Sequence, residues 1–451
     1  MTNGALAVAA GIALGAIAVL SPLTVVAAIA AGLTLAAARR GVPAEERRWL
    51  TGVILAALAA RVLVVLALFA VNLASQSAQN PGILFGDETF SLTRSLRMRN
   101  ILLEFPVSKL DYQVAFDSYG QTRYLSWLSW LQVAFGPSSY SVRVLNGVMF
   151  VGGALILYRL ARRGFGVIPA LAGLTILLFL PSLFFWSISL LKESIYFLLT
   201  TLAIGAVAWC LGRGSWRERL SAVGTLSVSL WLLSDLRPGA LLLTSGGLLF
   251  GVAAWWVLKT PRRALVAAAV AGVAAIAIAR SPSASARVLD TLAASAKQHT
   301  GHVFTLGHSY KTLDDKFYAT VETPMTSHLT LTPAEAVRYV ARSAMSFVTV
   351  PLPWQVVSKS ELAFVPEQLV WYLLVFASAV GLVPAWRRDP LLVSLLVGYV
   401  LPTAAVLALV NGNVGTLVRL RGLITPFLIW VGALGGAVLL QSLIPQHEVT
   451  V

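Results

Sequence analysis

Residues 50–74 read LTGVILAALAARVLVVLALFAVNLA, an apolar run interrupted by a single charge, Arg61. About twenty predominantly apolar residues cross the hydrocarbon core of a bilayer, so this stretch is a membrane span. Working outward, similar runs recur at about 5–20, 23–38, 140–158, 167–186, 194–211, 220–234, 239–258, 264–280, 367–385, 390–410 and 422–441. The whole chain agrees: of 451 residues 57% are hydrophobic and only 12% charged, with a mean hydropathy of +0.79. Soluble domains are about 25% charged, so soluble, fibrous and disordered classes are excluded. The expected fold is an all-α polytopic membrane protein of about 12 transmembrane helices.

Basic residues sort the loops into two kinds. One alternate set carries Arg39, Arg40, Arg47, Arg48, Arg159, Arg162, Arg163, Arg213, Arg217, Arg219, Lys259, Arg262, Arg263, Arg387 and Arg388. The opposite short loops carry only Lys192, Arg237, Arg419 and Arg421. Cytoplasmic loops hold the excess of Lys and Arg, which places both termini inside and leaves two long polar segments, about 75–139 and 281–366, outside. The expected location is a bacterial-type inner or plasma membrane, with the working face extracytoplasmic. A net charge of +15 then reflects basic inner loops rather than nucleic acid, for which no basic groove with interleaved aromatics is visible. Met1 to Ala38 lacks the positive start of a secretory signal, and the break at Ser21-Pro22 suggests a hairpin. The lone Cys210 has no disulfide partner.

The outer side carries the chemistry. Gly86-Asp87-Glu88 lies shortly past the span ending near Ala74. Adjacent carboxylates at a low-dielectric boundary suit general acid/base work; the plainer reading is that Asp87 caps a helix over Phe90–Leu103. That segment, with Arg94, Arg97 and Arg99, is amphipathic and suited to lying on the membrane surface. The aromatics of the Tyr124–Phe135 stretch suit an interface. Lys192, Arg237, Arg419 and Arg421 run against the positive-inside trend. Interfacial snorkelling explains any one of them, but four on one side favour a shared polar cavity. Asn411 through Thr416 reads either as backbone amides for a phosphate or as a turn. Arg61 reads as snorkelling toward the cytoplasmic face. The second long segment holds His299, His302, His308 and His328. Without acidic or cysteine partners in register they do not make a metal site, although a divalent cation is left open as a cofactor. Glu193, His302, His308 and Tyr310 are candidate substrate contacts.

The stretch 124–166, YLSWLSWLQVAFGPSSYSVRVLNGVMFVGGALILYRLARRGFG, resembles the early region of membrane-embedded GT-C glycosyltransferases. An amphipathic helix leads to Phe135-Gly136, then Val142-Arg143-Val144-Leu145-Asn146 opens a span, then Arg159 to Gly166 forms a basic exit. Leu180-Pro181 to Lys192-Glu193 is similar to that superfamily's proline-bearing span with Lys/Arg-Glu at its outer end. The likeness covers roughly residues 50–235 and is nearest to the branch using polyprenyl-linked donors; the N-terminal hairpin is additional. It implies a GT-C-like core over 50–280; the hairpin and cytoplasmic loop (1–49) before it depart from the family's layout. It also implies long outer loops containing amphipathic helices, the second at 281–366, and closing spans over 367–451.

The activity so implied is transfer of a sugar from a polyprenyl-(di)phosphate-linked donor to an acceptor hydroxyl on a glycan, lipid or protein. Asp87 would be the base, with Glu88 sharing its role or orienting the acceptor. Lys192, Arg237, Arg419 and Arg421 would hold the leaving phosphate. A polysaccharide polymerase or ligase acting on lipid-linked glycans would use the same face. A flippase for such glycans is a different class, expected to show internal repeats and mid-membrane charges; no clear repeat is visible and the interior charges are few. No Gly-Lys phosphate loop or dinucleotide fingerprint is present.

Overall fold

The computed structural model describes residues 21–74, 84–118, 120–212, 215–237, 239–305, 307–318, 329–355 and 359–443. Among these the chain forms eighteen α-helices and no strand, apart from one isolated bridge between Ser309 and Asn413. The apolar runs from 23 to 441 coincide with helices to within a few residues; the run at 5–20 and His328 lie outside the described residues. Proline opens many helices, where its missing N–H costs nothing: Pro22, Pro181, Pro261, Pro282, Pro333 and Pro390 are examples. Ser108–Asp111, Ser215–Glu218 and Thr332–Glu335 add reciprocal capping boxes.

Nine described helices are long and apolar enough to cross a membrane, ten if a bent pair is one span. The expected count of about twelve includes the run at 5–20, which lies outside the described residues, and one run that falls short of this measure. The run at 220–234 forms a helix over Trp216–Leu236, but Arg217, Glu218 and Arg219 at its start and Asp235 at its end make it too polar. The bent pair, Val167–Phe179 and Pro181–Ser187, turns through 63° at Leu180. Pro181 has no N–H to give and pushes the residue before it out of the helical region.

The helices fall into two compact units. The first comprises residues up to Leu160 together with Leu174–Leu241. It contains α1 (Pro22–Arg39), α2 (Ala44–Ala74), α3 (Gly86–Leu102), α4 (Lys109–Ala115), α5 (Arg123–Phe135) and most of α6 (Ser139–Phe165). The end of α7 (Val167–Phe179) follows, then α8 (Pro181–Ser187), α9 (Glu193–Leu211) and α10 (Trp216–Leu236). A side chain at Gly153 would lie 2.8 Å from the Phe197 ring, so that glycine sets how closely α6 approaches α9.

Arg61 does not snorkel. It is 2% exposed, and its guanidinium donates to the Ser187 hydroxyl at 2.8 Å and to the carbonyls of Ala57 and Leu178. The Phe184 ring covers it at 4.7 Å. In a bilayer, backbone carbonyls freed by a break such as the one after Phe179 must find donors, and Arg61 supplies one.

The second unit comprises Ala161–Gly173 and Leu242 onward. It contains α11 (Ala240–Leu258), α12 (Pro261–Arg280), α13 (Pro282–Val303), α14 (Pro333–Thr349), α15 (Lys359–Arg388), α16 (Pro390–Val410), α17 (Val414–Arg421) and α18 (Thr425–Leu443). Glycines let its spans touch backbone to backbone: an added methyl at Gly435 would collide with the Ala377 carbonyl, and one at Gly251 would sit 2.5 Å from that of Ser394. Small residues replace hydrophobic driving force where lipid is the solvent. Helix α12 has no buried residue in its span, as an apolar helix can when lipid surrounds it.

Candidate functional site

In the first unit, the chain between α8 and α9 leaves helical geometry, and residues 188–192 must find partners for their backbone groups. The Ile188 and Ser189 amides turn back to the Phe185 and Trp186 carbonyls and the Lys192 carbonyl accepts from the Tyr196 amide; the groups between are met by side chains. Glu88 Oε1 accepts from the Leu190 amide at 2.6 Å. Arg143 donates to the Ile188 carbonyl at 3.2 Å. Asn146 Nδ2 donates to the carbonyls of Ser189 and Leu191 at 2.7 and 3.3 Å. The Tyr124 hydroxyl donates to the Leu190 carbonyl at 2.7 Å, and burial pushes this phenol above its ordinary pKa.

Glu88 and Arg143 form a two-pronged ion pair, Oε1 to Nη1 and Oε2 to Nη2, both 3.0 Å. Their side chains are 0% and 3% exposed. Glu88 also reaches back to the Leu84 amide at 2.8 Å, as an acidic residue in the first turn of a helix does. One carboxylate thus joins the start of α3, the arginine of α6 and the segment 188–192.

This changes the expected task of Glu88. With no exposure, a guanidinium on one edge and amides on both oxygens, this carboxylate has its oxygens taken up by the protein's own contacts. Asp87, the next residue back, is exposed at the start of α3. The helix begins at Gly86 with Phe85 as its cap residue, so Asp87 is inside the first turn and is not the cap. Lys192 and Glu193 stand at the junction of the held segment with α9 and are half-buried. Arg237, also half-buried, follows the end of α10 and makes no side-chain hydrogen bond or ion pair with any described residue. Nearby, Arg123 pairs with Asp235 at 3.1 Å.

The segment expected to lie on the membrane surface, now α3, is instead packed by its polar side chains. Arg94 is 1% exposed and donates to the carbonyls of Ala115 and Asp117. Arg97 pairs with Asp111 at 2.8 Å, and Arg99 donates to the Gln132 carbonyl at 3.2 Å. These arginines hold α4 and α5.

In the second unit, Asn411-Gly412-Asn413 is a buried clamp rather than an open phosphate cradle. The Val414 amide donates to the His308 carbonyl at 2.8 Å, and the Tyr310 amide to the Gly412 carbonyl at 2.9 Å. Asn413 caps α17 by accepting from the Thr416 amide at 3.1 Å. Gly412 is required because a methyl there would lie 2.5 Å from the His299 carbonyl. The Tyr310 hydroxyl donates to the Asn411 carbonyl at 2.7 Å, so Tyr310 is occupied structurally. His302 is half-buried, and its Nδ1 has no hydrogen-bond partner among the described residues.

Arg421 also departs from its expected place. It is 4% exposed, and its guanidinium donates to the Phe347 carbonyl at 2.9 Å, to Gln368 Oε1 at 2.9 Å and to the Val350 carbonyl. Trp371 covers it at 5.0 Å. Burial pulls the guanidinium down to about 10, which leaves it charged at neutral pH. It fastens the end of α14 to α15 and is enclosed, whereas Arg419 is half-buried. The four expected phosphate-binding cations therefore divide, Lys192 and Arg237 in one unit, Arg419 and Arg421 in the other.

His299 is fully buried between the Asn411 carbonyl, which faces Nδ1, and the Thr312 hydroxyl, 3.0 Å from Nε2. A carbonyl only accepts, so Nδ1 carries the proton and Nε2 receives the threonine hydroxyl. Burial depresses this imidazole to about 4. An unfolded histidine titrates near 6.5, so between about pH 6.5 and 4 the unfolded state binds a proton that the native state refuses. The resulting stability is present above about pH 6.5 and is lost progressively toward pH 4, by about 3 kcal/mol in full. Thermal unfolding across that range should show this loss in the wild type and a flatter profile in His299→Gln.

No three His, Cys, Asp or Glu side chains converge as metal ligands among the described residues. The residues missed by sequence reasoning as parts of the site are Arg143, Asn146 and Tyr124. Their signal was available: Arg143 and Asn146 are polar residues three apart on an apolar helix, hence on one face. Comparison with protein-family models, with curated proteins and with solved structures returned no match.

Proposed function

We propose that this membrane protein is a GT-C-type glycosyltransferase that transfers a sugar from a polyprenyl-(di)phosphate carrier to an acceptor hydroxyl on the extracytoplasmic face. One observation carries the reading. The buried Glu88–Arg143 pair fixes an exposed carboxylate, Asp87, relative to the segment that ends in Lys192. Asp87 takes the proton of the acceptor hydroxyl as its oxygen attacks the anomeric carbon. The bond to the carrier phosphate breaks, and the departing oxygen gains negative charge. Lys192 and Arg237 are the cations of this unit suited to meet that charge. Arginine favours two-pronged phosphate contacts. Arg421 serves by fixing α14 and α15. Glu193, His302 and His308 remain as candidates for contact with sugar or acceptor.

The excess of Lys and Arg in one alternate set of loops supports cytoplasmic termini with Asp87 outside. Two measurements test the proposal. Single cysteines introduced at Gly86 and Gly415 should both be labelled by an impermeant maleimide from the extracytoplasmic side; labelling from opposite sides ends the reading. Purified protein in proteoliposomes should consume a polyprenyl-phosphate sugar and release the carrier phosphate. Movement of an intact lipid-linked glycan across the bilayer without release would establish a flippase instead.

A further inference from the structure

The second unit contains a lateral cleft of about 420 Å³, bounded by α11 and α15 and floored by α16. Its length is apolar: Phe250, Ala254 and Leu258 on one wall, Leu382 and Val383 on the other, Val397 beneath. The glycine contacts between α11 and α16 keep the floor shallow. From Val393 to Leu401 the cleft follows α16 for about 12 Å, enough for most of an alkyl chain in the inner half of a bilayer.

Its two polar features are ordered along the cleft. At the mouth stand Trp386 and Arg387. Arg387 is exposed and makes no hydrogen bond or ion pair with any described residue. Lys259, Arg262 and Arg263 follow directly on Leu258, so this end of the cleft is basic. About one helical turn inside the start of α16 lies Ser394, 5% exposed, whose hydroxyl has no partner among the described residues. A buried hydroxyl without a partner is costly, and serine in a helix ordinarily finds the carbonyl one turn back.

We propose that the cleft binds one anionic diacyl phospholipid of the surrounding bilayer. Arg387 takes the phosphate, the Ser394 hydroxyl, enclosed as it stands, turns about its Cα–Cβ bond to donate to an ester carbonyl, and one acyl chain lies along Ala254 and Val397. A glycerophospholipid presents phosphate, ester and chain in that order, which matches the order of arginine, serine and apolar wall. The basic rim selects an anionic headgroup over a zwitterionic one. A polyprenyl phosphate has no ester and leaves Ser394 unsatisfied. This site is independent of the sugar-transfer reading.

The test uses the full-length protein, stripped of lipid in detergent and titrated with palmitoyl-oleoyl phosphatidylglycerol or phosphatidylcholine, with bound lipid read by native mass spectrometry. Wild type should hold one phosphatidylglycerol about five-fold more tightly than phosphatidylcholine, as expected for about one basic contact. Arg387→Gln should erase that preference, while Arg280→Gln, the same charge change at the far end of α12, should leave it intact. Ala254→Trp should displace both lipids. Dialkyl ether phosphatidylglycerol should bind more weakly than the diester in wild type, and equally with it in Ser394→Ala. Unchanged selectivity in Arg387→Gln, ether binding equal to ester in wild type, or displacement of phosphatidylglycerol by an equimolar polyprenyl phosphate would each overturn the assignment.

Discussion

Replacing Asp87 by Asn should reduce sugar transfer by about 10²–10⁴-fold, the range that a positioned general base contributes, while expression, membrane insertion and thermal unfolding stay at wild-type values. The separation is expected because Asp87 is exposed while the neighbouring Glu88 carries the anchoring contacts. Asparagine keeps the shape and removes only the proton-accepting charge. The measurement is release of carrier phosphate from a polyprenyl-phosphate sugar in proteoliposomes. Wild-type release by Asp87→Asn would remove this residue from the chemistry.

Glu88→Ala should behave in the opposite manner, losing stability and transfer together. It leaves the Arg143 guanidinium, 3% exposed, without its carboxylate, and breaking a buried pair from one side costs about 3–5 kcal/mol. It also frees the Leu190 amide and the turn before α3. The double substitution Glu88→Leu with Arg143→Met separates the two effects. Replacing both charges by apolar groups of similar size is often neutral for stability, so thermal unfolding should return toward wild type. Transfer should not return, because nothing then ties the Asp87 turn to the segment bearing Lys192. Recovery of both would mean that the pair only fills space; wild-type unfolding of Glu88→Ala would mean that it holds nothing.

The two experiments divide two adjacent carboxylates that look interchangeable along the chain. Their difference comes from phase on α3: one helical step is about 100°, enough to turn Glu88 toward Arg143 and leave Asp87 at the surface. The same logic applies to Arg419 and Arg421. Both stand near the end of α17, yet Arg421 is enclosed by the Phe347 and Val350 carbonyls and the Gln368 side chain while Arg419 is half-buried. A charge that runs against the positive-inside trend is equally a substrate contact or a strut, and only the carbonyls around it decide which.

Composition and apolar run length determined that this chain is a helical membrane protein and located its helices to within a few residues, because the bilayer demands about twenty apolar residues per span and satisfied backbone groups throughout. They also counted the run at 220–234, whose helix, Trp216–Leu236, carries charges at its ends that a run length does not register. What tertiary structure alone decided is the fate of each polar residue. Arg61, Glu88, Arg143 and Arg421 are buried because distant carbonyls, amides or a countercharge meet them there. Such pairings join residues tens to more than a hundred positions apart and leave no local mark in the sequence. Burying a charge is tolerable only when its partners arrive with it, and their arrival is a property of the folded chain.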